Sequence, residues 1–186
     1  MDATVLWSCD GVLVIGIAAV LPRWEARLRI RAAVRAAAAQ WLKMDIESIS
    51  LESTPGAPPR LLLAGRAAGL SLTHDVGMSL AAIHLHGAVG IDVMRVQDIA
   101  DWANLARDYL GPQVTQELAA CADALRPLRL AQAWTAHEAA LKCVGRQLTE
   151  WDGVVLNCHL QAVETPQNFV AMLATIRGQT RRGNTV

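Results

Sequence analysis

The chain lacks a net charge, because 17 Lys and Arg residues balance 17 Asp and Glu residues. A neutral chain has no global basic field, which argues against nucleic acid or an anionic membrane surface as a partner. Lysine is nearly absent: Lys43 and Lys142 are the only two, so the other fifteen cations are arginines. Hydrophobic residues make up 53% of the chain and charged residues 18%, a composition that excludes intrinsic disorder.

Long apolar runs and cysteine motifs are absent as well. The longest apolar run, residues 11–21, ends before Pro22 and is too short to span a bilayer. Asp2 and Asp10 precede it where a signal peptide carries cations, so we expect no membrane association. The cysteines show no CxxC or other metal spacing; they are Cys9, Cys121, Cys143 and Cys158. We interpret them as buried free thiols of a cytoplasmic protein, with disulfides as the alternative.

The order of predicted elements indicates the fold class. The 186 residues suit one domain or one compact duplicated unit. Periodicity and turn residues predict strands at 12–19, 48–51, 70–73, 79–84, 88–93, 151–163 and 169–176, and helices at 22–43, 98–109, 114–125 and 127–145. The proline-rich segment 53–65 is predicted as a loop. This order predicts an α+β fold with two pseudo-symmetric halves, 1–95 and 96–186, each a small antiparallel sheet packed on a long helix.

A carboxylate interrupts one predicted strand. Asp92 stands in the run Gly90-Ile91-Asp92-Val93, although aspartate is a poor strand residue. One interpretation is an exposed residue at a strand end or edge. The other is a carboxylate held on a rigid strand to bind a hard cation.

A second candidate site lies on the last predicted helix. Trp134, Glu138 and Lys142 are four residues apart and therefore share one helix face. A surface Glu–Lys pair with tryptophan packed beside it is the simpler interpretation. A tryptophan on the same face and the rarity of lysine in this chain favour a functional one.

A histidine between a hydroxyl and a carboxylate forms the third candidate. The segment Thr73-His74-Asp75 is typical of an anion or phosphate contact, and a structural histidine is the alternative. Sequential residues of a strand point in alternating directions, which argues against a Ser/His/Asp triad.

Arginines recur every four residues along the first long helix, at Arg23, Arg27, Arg31 and Arg35. The spacing is typical of a solvated helix face. It also suits a ledge for a phosphate-rich ligand, because the guanidinium matches phosphate geometry.

Taken together and in this order, these residues resemble the 4′-phosphopantetheinyl transferase superfamily, in its larger, monomeric surfactin-synthetase-activating type. Residues 73–75 match the family's (S/T)H(S/D) segment, 90–94 its GIDxE strand motif and 134–142 its WxxxExxxK helix motif. Gly56-Ala57-Pro58 resembles a degenerate G-K-P loop. The resemblance covers about residues 25–175, nearly the whole chain.

The resemblance implies a magnesium-dependent enzyme, with Mn²⁺ as an alternative ion, that binds coenzyme A in a cleft between two α/β halves. Such an enzyme transfers the 4′-phosphopantetheine arm to a serine of an acyl or peptidyl carrier protein and releases adenosine 3′,5′-bisphosphate. It implies a cytoplasmic monomer and leaves open whether the carrier serves fatty acid, polyketide or nonribosomal peptide synthesis.

The same resemblance assigns roles to individual residues. Asp92 and Glu138 match the metal carboxylates, and Glu138 is also the candidate base for the carrier serine. Lys142 matches the lysine that contacts the diphosphate, which completes the expected catalytic group. The expected coenzyme A phosphate contacts are His74, Thr73, Lys142, Arg27, Arg31 and Arg60, the three arginines on charge and location alone.

Two departures from the family pattern stand out. Met94 occupies the place of the glutamate that ends GIDxE, and a thioether is a poor Mg²⁺ ligand. We expect water to fill that coordination position. Ala57 replaces a lysine that often contacts phosphate in the family. The alternatives are a non-catalytic relative that binds coenzyme A or a carrier protein, and an unrelated α+β protein whose motifs coincide by chance.

The surface that meets the carrier protein is expected near the motifs. Trp102 and Leu105 are candidates for apolar contact, with a core position for Trp102 as the alternative. The candidate cations are Arg95, Arg107, Arg126 and Arg129.

Overall fold

A computed structural model describes residues 3–54, 58–166 and 168–176. Gly56 and Ala57 of the G-K-P-like segment lie outside these ranges. The strands are β1 (Thr4–Cys9), β2 (Val12–Ala19), β3 (Ile49–Glu52), β4 (Arg60–Leu63), β5 (Arg66–Asp75), β6 (Gly77–His84), β7 (Val89–Arg95), β8 (His159–Val163) and β9 (Phe169–Thr175). The helices are α1 (Arg23–Leu42), α2 (Trp102–Leu105), α3 (Pro112–Ala120) and α4 (Arg126–Val144).

The strands form two antiparallel sheets. The first has six strands in the order β1-β2-β6-β5-β4-β3, and the second has three in the order β7-β9-β8. Helix α1 packs on the first sheet and α4 packs on β7 and β9 of the second. The expected α+β fold, with each antiparallel sheet carrying one long helix, is therefore confirmed.

Apolar side chains fill the spaces between these layers. One cluster joins the two sheets through β2, β6, β7 and β9, with Leu80 and Ile91 fully buried at its centre. A second cluster lies between α1 and the other face of the six-stranded sheet, where Ile30 and Val34 meet Ile15 and Ile83. The helix pattern of residues 26, 30, 34 and 38 thus gives α1 its one buried face.

The segment 53–65 is not the continuous loop that its prolines predict. Residues Arg60–Leu63 form β4, which pairs with β3 on one side and β5 on the other. Leu61 is fully buried beneath α1, so tertiary packing outweighs the nearby turn residues. Strand β1 was not predicted from the sequence. The strand predicted at 151–163 is shorter in the structure, because only His159–Val163 forms a strand.

The predicted boundary between the halves does not coincide with the division into two sheets. Strand β7 precedes residue 95 and pairs with β9 of the second sheet. The boundary of the halves at residue 95 stays a prediction.

All four cysteines are free, and the expectation that all are buried holds only for Cys143: Cys121 and Cys158 are half-buried and Cys9 is exposed. Within the described ranges, no helix is both long and apolar enough to cross a membrane.

Candidate functional site

Asp92 is buried on β7 and lies where three elements meet. Its Oδ1 accepts a hydrogen bond from Lys142 Nζ of α4 at 2.6 Å and another from Thr73 Oγ1 of β5 at 2.9 Å. Lys142 Nζ also lies 3.3 Å from the carbonyl oxygen of Ile91. The strand motif, the helix motif and the hydroxyl of the third motif therefore contact one carboxylate.

Gly90 allows α4 to lie directly against β7. A Cβ atom at this position would stand 1.9 Å from the carbonyl oxygen of Ala139 and 2.6 Å from the amide nitrogen of Cys143. Only a residue without a side chain permits such close backbone packing. The close approach of α4 to β7 at Gly90 places Glu138 and Lys142, which are one helical turn apart, beside Asp92.

Glu138 is a half-buried carboxylate beside this pair. Its Oε2 lies 4.0 Å from Lys142 Nζ. Burial raises the pKa of Glu138 above its ordinary value, the positive charge of Lys142 opposes that rise, and the negative charge of Asp92 adds to it. Such a carboxylate accepts a proton or a cation more readily than an exposed one, which suits a general base or a cation ligand.

The three residues line a cavity of about 460 Å³ that both halves of the chain enclose. Arg23 and Arg27 of α1 form one wall, and Trp134 of α4 forms part of the other. Met94 and Asp92 are two residues apart on β7 and both line the cavity, as the pleat of a strand requires. Met94 thus occupies the position where a second strand carboxylate would face the cavity.

A second cavity, of about 570 Å³, adjoins the first and shares Arg27, Leu72, His74 and Lys142 with it. The two form a continuous groove. The Nε atom of Arg31 and the Nδ1 atom of His74 are buried here without a hydrogen-bond partner among the described residues. Because buried polar atoms are normally paired, these atoms indicate that the groove receives a polar ligand.

Charge and burial keep His74 neutral. Burial lowers its pKa most, and the cations Arg27, Arg23, Lys142 and Arg31 lower it further. The surrounding positive charge favours a phosphate-rich ligand.

Strand β5 alternates as its sequence predicts. Ser71, Thr73 and Asp75 face β7, where Ser71 Oγ accepts from the Ile91 amide at 3.0 Å and Asp75 Oδ2 accepts from the Arg95 amide at 2.6 Å. His74 joins the arginines of α1 in the groove. No Ser/His/Asp triad forms from this segment.

Two of the phosphate contacts expected from the resemblance, Thr73 and Arg60, have other partners in this structure. The Thr73 hydroxyl has one proton, which it donates to Asp92, so it orients that carboxylate instead of donating to a phosphate. Arg60 is exposed on β4, where its guanidinium lies 3.8 Å from Glu52, and it is not among the residues that line the groove. Arg27, Arg31, His74 and Lys142 do line it.

Arg146 is a groove residue that sequence reasoning missed. It follows Gly145, whose left-handed conformation ends α4, and it lines the second cavity while pairing with Asp152 at 2.5 Å. A helix-ending glycine after Lys142 was the available signal, because it turns the next residue back toward the helix end.

The expected apolar docking residues, Trp102 and Leu105, are half-buried and pack against the protein's own core. Trp102 lies beneath the guanidinium of Arg126, 4.6 Å from the ring centre. Trp102 and Leu105 both pack against the buried cluster around Leu130. The core alternative is therefore the better description of Trp102.

Comparison with known proteins agrees with this geometry. A family model described as the 4′-phosphopantetheinyl transferase superfamily matches residues 88–180, half of the chain. The chain belongs to the 4′-phosphopantetheinyl transferase superfamily. It is also 25% identical over 123 residues to the protein named "Putative 4′-phosphopantetheinyl transferase slr0495" of Synechocystis sp.. That match covers 66% of this chain and 50% of the relative, so the chain spans about half the length of the relative.

The transferase family generally uses a divalent metal, and the donor set of this site fits one. Mg²⁺ takes one or two carboxylates, together with phosphate oxygens and waters. Asp92 and Glu138 supply two carboxylates on one cavity. Burial raises the pKa of Glu138 most, and the negative charge of Asp92 adds to that rise. Among the described residues no group of three or more His, Cys, Asp or Glu side chains is placed to hold a metal alone. The residues fit an ion completed by substrate oxygens.

Proposed function

We propose that this protein transfers the 4′-phosphopantetheine arm of coenzyme A to a serine hydroxyl of an acyl or peptidyl carrier protein, with Mg²⁺ or Mn²⁺, and releases adenosine 3′,5′-bisphosphate. The observation that carries the proposal is the convergence of Asp92, Glu138 and Lys142 on a groove whose opposite wall is a row of arginines. Family membership supports the same reaction.

The arginine side of the groove binds the nucleotide in this proposal. Arg27 and Arg31 contact the phosphates of coenzyme A, and His74 offers its buried ring nitrogen beside them. Lys142 reaches the diphosphate from α4 while it holds Asp92 in place. Phosphoryl transfer depends mainly on such alignment and on neutralising charge.

The carboxylates act at the reacting end. Glu138 accepts the proton of the carrier serine while the serine oxygen bonds to the phosphorus nearer the pantetheine. The bond from that phosphorus to the bridging oxygen breaks, and adenosine 3′,5′-bisphosphate leaves. A divalent ion held by Asp92 and Glu138 would supply neutralisation of the diphosphate charge. Thr73 keeps the Asp92 carboxylate oriented.

We also propose the surfactin-synthetase-activating type and a monomer. Both rest on the fact that α1 and α4 of a single chain line the two sides of the groove. A second subunit is not needed to complete it.

The test measures the mass of apo carrier proteins after incubation with the wild-type chain, coenzyme A and Mg²⁺ or Mn²⁺. We expect the mass of the phosphopantetheine arm to be added to at least one carrier. Glu138→Gln should reduce the rate by about 10²–10⁴-fold while leaving the unfolding transition in place. Glu117→Gln, at an exposed position of α3, is the matched control and should transfer normally.

Binding of coenzyme A without transfer to any carrier would instead favour the non-catalytic relative. Absence of both binding and transfer would refute the proposal.

A further inference from the structure

An apolar strip is exposed beside the mouth of the groove. It consists of Val20, Trp24, Leu28 and Val76, which are 78%, 68%, 63% and 64% exposed. We call it the rim strip. Exposed apolar residues that lie together mark interaction sites more often than isolated ones do.

Helix geometry places the strip at the edge of the groove. Residues of a helix follow one another at about 100° around its axis. Ala26 and Ile30 lie on the buried face of α1, Arg27 and Arg31 come next and face the groove, and Trp24 and Leu28 come after those. Trp24 and Leu28 are four residues apart, so their side chains are neighbours on one face of α1. They therefore lie between the groove and open solvent.

The other two members continue this edge onto the first sheet. Val20 directly precedes α1, and its Cγ2 lies 3.7 Å from the place where a side chain on Gly77 would begin. Val76 is the neighbour of Gly77 in the turn between β5 and β6. Asp75, at the end of β5, lines the cavity that holds Glu138. A molecule that covers the strip thus stands at the entrance to that cavity.

Cations border the strip on the groove side. Arg23 and Arg27 line the cavity one residue before Trp24 and Leu28. Arg95 donates to the carbonyl oxygen of Val76 at 2.5 Å and lies 5.5 Å from the ring centre of Phe169. Two acidic residues lie near the strip and both are paired: Glu25 with Arg29 at 2.6 Å, and Asp75 Oδ2 with the Arg95 amide at 2.6 Å. The surface is therefore apolar and positive, and its complement is a protein face that combines apolar and acidic side chains.

We propose that the rim strip is the docking site of the carrier protein that donates the serine. The inference rests on the proposed function, because the occupant is the macromolecular substrate. Trp24 and Leu28 contact an apolar patch next to the serine, and the bordering arginines attract acidic residues around it. Docking there brings the serine to Glu138.

The experiment uses an apo carrier protein that the wild-type chain modifies, and the variant Trp24→Ala/Leu28→Ala. We expect the KM for the carrier to rise at least tenfold, while the dissociation constant of coenzyme A and the unfolding temperature change little. Val5→Ala is the matched control, since Val5 is also exposed but lies beside the opposite flank of α1. Leu28→Asp should weaken carrier binding more than Leu28→Ala, because it places a negative charge opposite an acidic partner.

Three results would overturn the proposal. An unchanged KM for the carrier in the double variant, with wild-type transfer intact, refutes the docking site and leaves the proposed function standing. A wild-type dimer that the double variant dissociates, seen by sedimentation velocity, assigns the strip to a second copy of the chain. A wild-type chain that modifies no carrier removes the docking site together with the proposed function.

Discussion

Replacing Gly90 with alanine tests how the site is held together. The new Cβ would lie 1.9 Å from the Ala139 carbonyl oxygen, and real Cβ atoms do not approach below 3.0 Å. Helix α4 and strand β7 must therefore separate by about 1 Å or more. The obstructing atoms belong to the helix backbone and cannot rotate away as a side chain can.

The separation has two measurable consequences. Overpacking a buried contact costs about 1–3 kcal/mol, so the free energy of unfolding should fall by at least that amount. The Lys142–Asp92 distance of 2.6 Å should lengthen beyond hydrogen-bond range, which begins to fail above about 3.2 Å. We expect coenzyme A affinity to fall together with stability.

Urea unfolding followed by tryptophan fluorescence measures the first effect, and titration calorimetry with coenzyme A measures the second. Gly87→Ala is the control, because its nearest neighbours are side-chain atoms of His84 at 3.2 Å and its backbone is not left-handed. That change should be neutral or slightly stabilising. If Gly90→Ala unfolds within about 0.5 kcal/mol of wild type, the close approach of α4 to β7 is wrong.

The remaining predictions concern single side chains of the groove. Met94→Glu places a second carboxylate on the Asp92 face of β7, so Mn²⁺ should bind more tightly in electron paramagnetic resonance titrations; an unchanged titration would contradict this placement of Met94. Lys142→Met should lower the free energy of unfolding by about 1–3 kcal/mol and coenzyme A affinity at least tenfold, since Asp92 loses its charged partner; calorimetry and urea unfolding check both. The lowered pKa of His74 should rise when a phosphate binds beside it, so coenzyme A binding takes up protons and tightens as pH falls through the window between the two pKa values. Calorimetry in two buffers of different ionisation enthalpy should show an uptake that His74→Asn reduces, and equal uptake by both proteins would contradict the role of His74.

Local patterns of the sequence predicted the long elements well. The apolar run 12–19 is β2, and Pro22 and Pro127 mark the starts of α1 and α4, because proline suits the start of a helix. The elements that the sequence did not indicate, β1 and β4, are short strands next to turn residues. Both belong to hairpins with the next strand, β1 with β2 across Asp10-Gly11 and β4 with β5 across Ala64-Gly65. These two-residue turns were the local signal that sequence reasoning missed.

The same division holds for the site. Residue type and spacing singled out Asp92, Glu138, Lys142 and His74, and the family resemblance gave them roles that stay predictions. The structure places all four on one cavity. The assignments of Thr73 and Arg60 as phosphate contacts stay predictions. The structure gives both side chains other partners, Asp92 and Glu52, which charge and position in the sequence do not reveal.

The periodicities, the helix starts and the motif residues can be read from the amino-acid sequence, because they follow from the local geometry of the backbone and the chemistry of each side chain. Three features depend on the folded chain: β7 pairs with β9 and not with its neighbours in sequence, Gly90 lets α4 lie against β7, and Trp24 is exposed while Trp102 is half-buried. These features depend on contacts between residues far apart in the chain. The free energy of such a contact depends on both segments, so neither segment alone predicts it.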